Sequence, residues 1–127
     1  MSEPKPVVLI VEDEPLFRMF ASDMIEDAGY DVVAVANATD AVEILETRLD
    51  IRVVFTDVDM PGGIDGIKLA ACIRDRWPPI KIIITSDRPW PDGVTMPEEA
   101  VFFSKPFRQD RLLKEIERMA AEVQKLD

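Results

Sequence analysis

The chain of 127 residues contains no histidine and only one cysteine. Without histidine there can be no His-based catalytic triad, no His-ligated zinc and no phosphohistidine carried by this chain. Cys72 alone cannot close an internal disulfide, which fits a reducing compartment. Positive charge is scarce: 15 Lys and Arg stand against 25 Asp and Glu, for a formal charge of -10. Such a surface repels phosphodiester backbones and anionic lipid, so neither nucleic acid nor a membrane surface is expected as a partner. Long apolar runs are missing too. After MSEPKP only five apolar residues follow, Val7 to Val11, too few for a signal-peptide core or a membrane span. No internal repeat or low-complexity stretch is visible.

What is present suits a small folded domain. Hydrophobic residues make up 47% of the chain, enough for a core. The length argues for one domain over residues 1–127. A chain of this size buries roughly two thirds of its unfolded surface. The expectation is an acidic, soluble, cytoplasmic domain.

Hydrophobic patterning alternates between strands and helices. The continuous run Val7 to Val11 marks a strand buried on both faces. Pro15 opens a helix on which Leu16, Phe17, Phe20, Met24 and Ala28 recur at helical spacing, and Gly29 stops it. Val32 to Val35 is a second strand. Asn37 or Thr39 caps a helix carrying Val42, Leu45 and Leu49. Val53-Val54-Phe55 is a third strand. A turn, Pro61-Gly62-Gly63-Ile64-Asp65-Gly66, leads into a helix with Ile67, Ala70, Ala71 and Ile73, closed by Trp77-Pro78-Pro79. Ile80 to Ile84 and Ala100 to Phe103 are the fourth and fifth strands. The last helix carries Leu112, Leu113, Ile116, Met119, Ala120 and Val123. Between the fourth and fifth strands the expected helix is interrupted by Pro89, Pro91, Gly93 and Pro97, so it should be short or irregular. This order predicts an α/β fold: a flavodoxin-like (βα)5 three-layer sandwich with a parallel five-stranded sheet of order 2-1-3-4-5. Strands 1 and 3 are then neighbours, and their C-terminal ends flank the crevice where ligands bind.

The residues that follow the strands carry the chemistry. Strand 1 runs into Glu12-Asp13, strand 3 into Asp57, strand 4 into Thr85 and strand 5 into Lys105. Taken singly, each has an ordinary explanation: acids at a helix N-terminus, a loop acid, a cap, a strand exit. One at each of four strand ends favours a shared site. Three neighbouring carboxylates repel one another, and a hard divalent cation with oxygen ligands relieves that; Mg²⁺ suits such a shallow site. A metal, a lysine and a hydroxyl around one aspartate are the parts for phosphoryl transfer onto that aspartate.

The segments VLIVEDEP, FTDVDMPGGIDG, IIITS and FFSKPF, in this order, resemble the response-regulator receiver domain of two-component signalling, over residues 7–124. The resemblance implies that Asp57 is the phosphoacceptor, charged by a histidine kinase or a histidine phosphotransfer protein. It implies that Asp13 and Asp57 bind Mg²⁺, or Mn²⁺ in its place, together with the backbone carbonyl of Asp59, while Glu12 acts mostly through water. Thr85 then matches the switch hydroxyl, Lys105 the family's lysine and Phe102 its rotating switch aromatic. An aromatic in a buried strand is also simply a core residue. A downstream protein of unknown identity completes the expected partners, and the chain is expected as a monomer or weak dimer. The native-looking start and charged ending favour a stand-alone receiver.

Three features depart from that family pattern. The turn Met60-Pro61-Gly62-Gly63-Ile64-Asp65-Gly66 is one residue longer than usual. Ser86 follows Thr85 where a smaller residue is common. The proline-rich stretch replaces a good helix. Asp57-Val58-Asp59 also reads as the Asp-x-Asp of aspartate-nucleophile phosphohydrolases of the haloacid dehalogenase type. That motif normally ends a first strand, and here it ends the third. The expectation is a switch phosphorylated once per cycle rather than a turnover enzyme.

Overall fold

The computed structural model describes residues 6–59 and 65–125, with side chains as far as 122. The reading of a lengthened turn at 60–64 lies outside the described residues, as does the burial of Val123. Strand β1 is Val7–Val11, and all five residues are buried, as a central strand covered on both faces requires. Helix α1, Pro15–Asp27, begins where the Glu14 side chain accepts a hydrogen bond from the Phe17 amide, with Pro15 in the first turn. Strand β2, Asp31–Val35, is half exposed, as an edge strand should be. Helix α2, Ala38–Thr47, is capped by Asn37, whose side chain accepts from the Asp40 amide. Strand β3 runs Ile51–Asp57, and helix α3 runs Gly66–Arg76 behind an Asp65 cap. Strand β4 is Lys81–Ser86, strand β5 is Ala100–Ser104, and helix α4 is Gln109–Lys125.

The five strands are parallel in the order β2-β1-β3-β4-β5. Alternate side chains face opposite layers. Leu9, Val54, Ile82 and Ile84 pack with Ala41 and Leu45 of α2 and with Leu69, Ala70 and Ile73 of α3. Ile10, Val53, Phe55 and Ile83 pack with Ala21, Met24 and Ile25 of α1 and with Leu112, Ile116 and Met119 of α4. This is the flavodoxin-like three-layer arrangement that the β-α alternation predicts.

The strands run further than the apolar runs suggest. Strand β3 continues through Thr56 to Asp57, and β4 through Thr85 to Ser86, all of them buried. A buried parallel ladder satisfies backbone groups whatever the side chain, so polar residues at its end stay in register. Asp57 lies opposite Thr85, and Ser86 opposite Ser104. Not every apolar residue at helical spacing faces the core. Leu16 and Phe20 of α1 are exposed, and Leu49 lies beyond the end of α2 and is 88% exposed.

Between β4 and β5 no helix forms among residues 87–99. Bends and turns take its place, with Gly93 (φ 76°) and Glu99 (φ 63°) in the left-handed region. Trp90 anchors this stretch. Its ring meets Phe102 edge-on at 5.6 Å between centroids, and its indole N–H donates to the Val94 carbonyl at 2.7 Å. Both aromatics pack on the core layer beside α3, where Trp90 covers β-sheet surface that a helix would otherwise cover.

Candidate acidic site at the strand ends

The sheet brings the sequence-predicted groups to one rim. Glu12 follows β1, Asp57 ends β3, Thr85 sits near the end of β4 and Lys105 follows β5. The ladder is prolonged past the strands: the Val58 amide donates to the Thr85 carbonyl, and the Lys105 amide to the Ser86 carbonyl, both at 2.8 Å. These bonds fix the spacing of the acidic, hydroxyl and lysine positions. Helix α3 closes in tightly behind Asp57. A Cβ on Gly66 would lie 2.0 Å from the Asp57 carbonyl oxygen, so only glycine fits there.

One carboxylate oxygen from each of Glu12, Asp13 and Asp57 lies within 4.8 Å of the others. Glu12 and Asp57 are buried, and Asp13 is the more exposed of the three. The Lys105 ammonium is 3.2 Å from Asp57 Oδ2 and 3.3 Å from Glu12 Oε1. It also lies 4.2 Å from the centre of the Phe17 ring, which supports it through a cation–π contact. Three carboxylates face one ammonium, so negative charge is in local excess. The Glu12 carboxyl is pushed up to about 7, chiefly by burial, with the Asp57 charge adding to it. Burial pulls the Lys105 ammonium down, but Asp57 and Glu12 outweigh it and hold it above the usual lysine range. The all-oxygen, anionic donor set of Glu12, Asp13 and Asp57 fits a hard divalent cation.

The Thr85 hydroxyl is fully buried and has no hydrogen-bond partner among the described residues. A buried donor of this kind is costly unless something satisfies it. Asp59 is not part of the carboxylate cluster. Its amide donates to Asp57 Oδ1 at 3.2 Å, and its own carboxylate accepts from the Ser86 hydroxyl at 3.1 Å. Phe102 lies off the rim, against Trp90. A crevice of about 650 Å³ opens over the cluster, walled by Phe17, Phe20, Asp59, Asp87 and Phe107. Sequence reasoning missed Phe17 as the seat of the lysine, because its helical spacing reads as core. Gly66 was read as part of a turn, and only the close approach reveals its role.

A parallel five-stranded sheet of this order, with an acidic cluster and a lysine on its carboxyl rim, defines the class of α/β receiver modules. The response regulator receiver domain model matches residues 8–117, and the chain belongs to that family of signalling domains. It is 33% identical over 118 residues to the response regulator receiver protein CpdR of Brucella abortus, covering 88% of this chain and 94% of that protein. It is 33% identical over 129 residues to a putative response regulator NtrX-like protein of Rickettsia felis, covering 94% of this chain. The chain spans only about a quarter (26%) of the length of that relative. A CheY-like receiver domain structure from Methanospirillum hungatei superposes with a TM-score of 0.86 over 97% of this chain and 99% of that one, at 20% identity. That likeness shows the fold. The cluster of Glu12, Asp13 and Asp57 is of the kind typical of the family's phosphoacceptor site. No helix among the described residues is long and apolar enough to cross a membrane.

Proposed function

We propose that the chain is a cytoplasmic phosphoacceptor receiver, a single domain over residues 1–127, in which Asp57 takes a phosphoryl group from a phosphohistidine. The observation that carries this reading is the placing of one buried aspartate, Asp57, between a lysine at 3.2 Å and two further carboxylates. The donor is a histidine kinase or a histidine phosphotransfer protein. An Asp57 carboxylate oxygen attacks phosphorus in line, the phosphorus–nitrogen bond breaks, and the donor imidazole leaves with the bonding electrons. Lys105 neutralises an oxygen of the transferred group. The Thr85 hydroxyl, without a partner among the described residues, donates to another, and Phe102 follows the movement of Thr85. Asp13, Asp57 and the Asp59 backbone carbonyl would hold Mg²⁺ or Mn²⁺, with Glu12 acting through water. The bound cation supplies charge neutralisation at the transferring oxygens.

Phe20 of α1 lines the crevice, and with the exposed Leu16 and Met19 of the same helix it offers an apolar surface to the donor protein. The phosphorylated form engages a downstream protein, as a monomer or weak dimer, with neither nucleic acid nor membrane as its partner. The domain is phosphorylated once per cycle and is not a turnover enzyme. No observation favours the phosphohydrolase reading, in which Asp59 would serve as the proton donor, because its carboxylate is turned to Ser86.

Incubation with Mg²⁺ and a small acyl phosphate should label one site. Asp57→Asn abolishes the labelling, and Asp13→Asn weakens cation binding. Undiminished incorporation in Asp57→Asn overturns the assignment.

A further inference from the structure

The Lys105 ammonium is supported by groups of two kinds. Asp57 and Glu12 hold it by charge, at 3.2 and 3.3 Å, while Phe17 offers it a π face, with the ring centre 4.2 Å away. The two carboxylates belong to the donor set that fits a divalent cation, so an ion bound there competes with the lysine for them. A hard cation takes oxygen ligands and leaves the phenyl face to the lysine. The half-buried Phe17 is itself well fixed. Its amide donates to the Glu14 side chain that caps α1, at 2.6 Å. Its ring meets Phe107 edge-on at 6.2 Å, and Phe107 in turn meets the fully buried Phe55 at 6.0 Å and Phe103 at 6.1 Å. These ring contacts involve no charged group, so neither a cation nor a phosphoryl group competes for them.

We infer that Phe17 is a positioning residue for phosphoryl transfer to Asp57, acting through Lys105. The inference rests on Asp57 being the phosphoacceptor. With a small acyl phosphate as donor, an Asp57 oxygen bonds to phosphorus and the bond from phosphorus to the bridging oxygen breaks. The electron pair leaves on the donor's carboxylate. Charge on the phosphoryl oxygens is met best by an ammonium already in place. Once Asp57 and Glu12 turn towards a cation, the Phe17 face keeps Lys105 in the crevice rather than extended into solvent. Leucine at this position keeps apolar bulk but has no π face, and the lysine loses that support.

The test joins a rate to a spectroscopic signature. A lysine lying over a ring face carries its ε-methylene protons into the ring current. In the wild type the Lys105 ε-methylene protons should therefore resonate upfield of those of an ordinary lysine, with or without Mg²⁺. Phe17→Leu should return them to the ordinary range and slow labelling of Asp57 by acyl phosphate and Mg²⁺ about three- to tenfold, the range of one cation–π contact. Phe17→Tyr, which keeps the π face, should keep both the shift and the wild-type rate. No upfield shift in the wild type, or its loss when Mg²⁺ is added, overturns the inference without any variant having to fold. So does wild-type labelling in Phe17→Leu, or labelling of Phe17→Tyr at the Phe17→Leu rate. A merely structural role for Phe17 would slow labelling and leave the Lys105 protons unmoved, and that result overturns it too. Absence of phosphate on wild-type Asp57 overturns the reading of the acceptor, and this inference with it.

Discussion

Two connections leave the same edge of the sheet and are built in opposite ways. From β3 the chain enters α3, whose Leu69, Ala70 and Ile73 are buried against the strands. From β4 it enters residues 87–99, which form no helix and keep only Trp90, Met96 and Pro97 half-buried. The first connection locks its ends through close packing, as at Gly66. The second hangs on one aromatic contact, a few turn hydrogen bonds and the ion pair of Glu99 with Lys81. The sheet tolerates this because the anchoring ring covers the core layer that a helix would cover. Cohesion on the acceptor side is therefore dense, while the side next to Thr85 is held at few points, which is where local opening costs least.

The glycines give the largest test of that contrast. Gly66→Ala drives a methyl group into the Asp57 carbonyl, and neither backbone can yield cheaply. It should cost about 3 kcal/mol or more, or prevent folding. Gly93 has a positive φ but open space around the missing Cβ, so Gly93→Ala should cost only about 1 kcal/mol. Urea unfolding of both variants measures the difference, and equal losses would erase the contrast.

Side-chain truncation is the next test. Leu69→Ala removes a fully buried side chain and should cost about 2–5 kcal/mol. Trp90→Ala should cost less, about 1–2 kcal/mol, because the ring is half-buried and its surroundings can collapse. It should also speed amide hydrogen exchange across 87–99 while leaving α3 protected. If exchange in α3 rises equally, the two connections are one cooperative unit.

The smallest effect is a pH dependence, and it separates one glutamate on each side. Glu12 sits in the dense part of the site at about 7, well above its usual range, chiefly through burial. Its protonated form is the one the fold prefers. Its contribution is complete below the unfolded value near 4.5 and is lost as pH rises through about 7. A shift from 4.5 to about 7 would by itself remove roughly 2.5 kcal/mol between pH 5 and 8, but water reaching the open crevice screens the group, so without divalent cations stability should fall by about 1 kcal/mol, and Glu12→Gln should flatten that slope. Glu99, in the open segment, is held below the usual carboxylate range by its hydrogen bond to Lys81. It stays ionised throughout this window, so Glu99→Gln should leave the slope unchanged. Thermal unfolding in the presence of a chelator measures both.

The legibility of the sequence follows the same division. Strand order, both layers and the four strand-end groups were readable because continuous apolar runs and β-α alternation admit few topologies. The interruption by Pro89, Pro91, Gly93 and Pro97 pointed to a short or irregular helix, and the stretch goes further, forming none. It could not show what would replace the helix, since a tryptophan between two prolines has no periodicity to read. The helical spacing of Leu16, Phe17 and Phe20 misled for a different reason. Apolar residues near the open rim leave the sheet's shadow, so Leu16 and Phe20 meet solvent and Phe17 meets an ammonium. The link from Ser86 to Asp59 joins residues 27 apart, and no local pattern announces it.

The lysine resting on Phe17 has a consequence for how the crevice receives charge. A free lysine side chain loses up to about 2 kcal/mol of conformational entropy when it is immobilised. In this chain that loss occurs during folding, because Lys105 is already held by Phe17, Glu12 and Asp57. An anion entering the crevice thus finds its counter-charge in place, and needs only to share the ammonium with carboxylates that repel one another. Such an arrangement lowers the ordering cost that an incoming anion would otherwise meet.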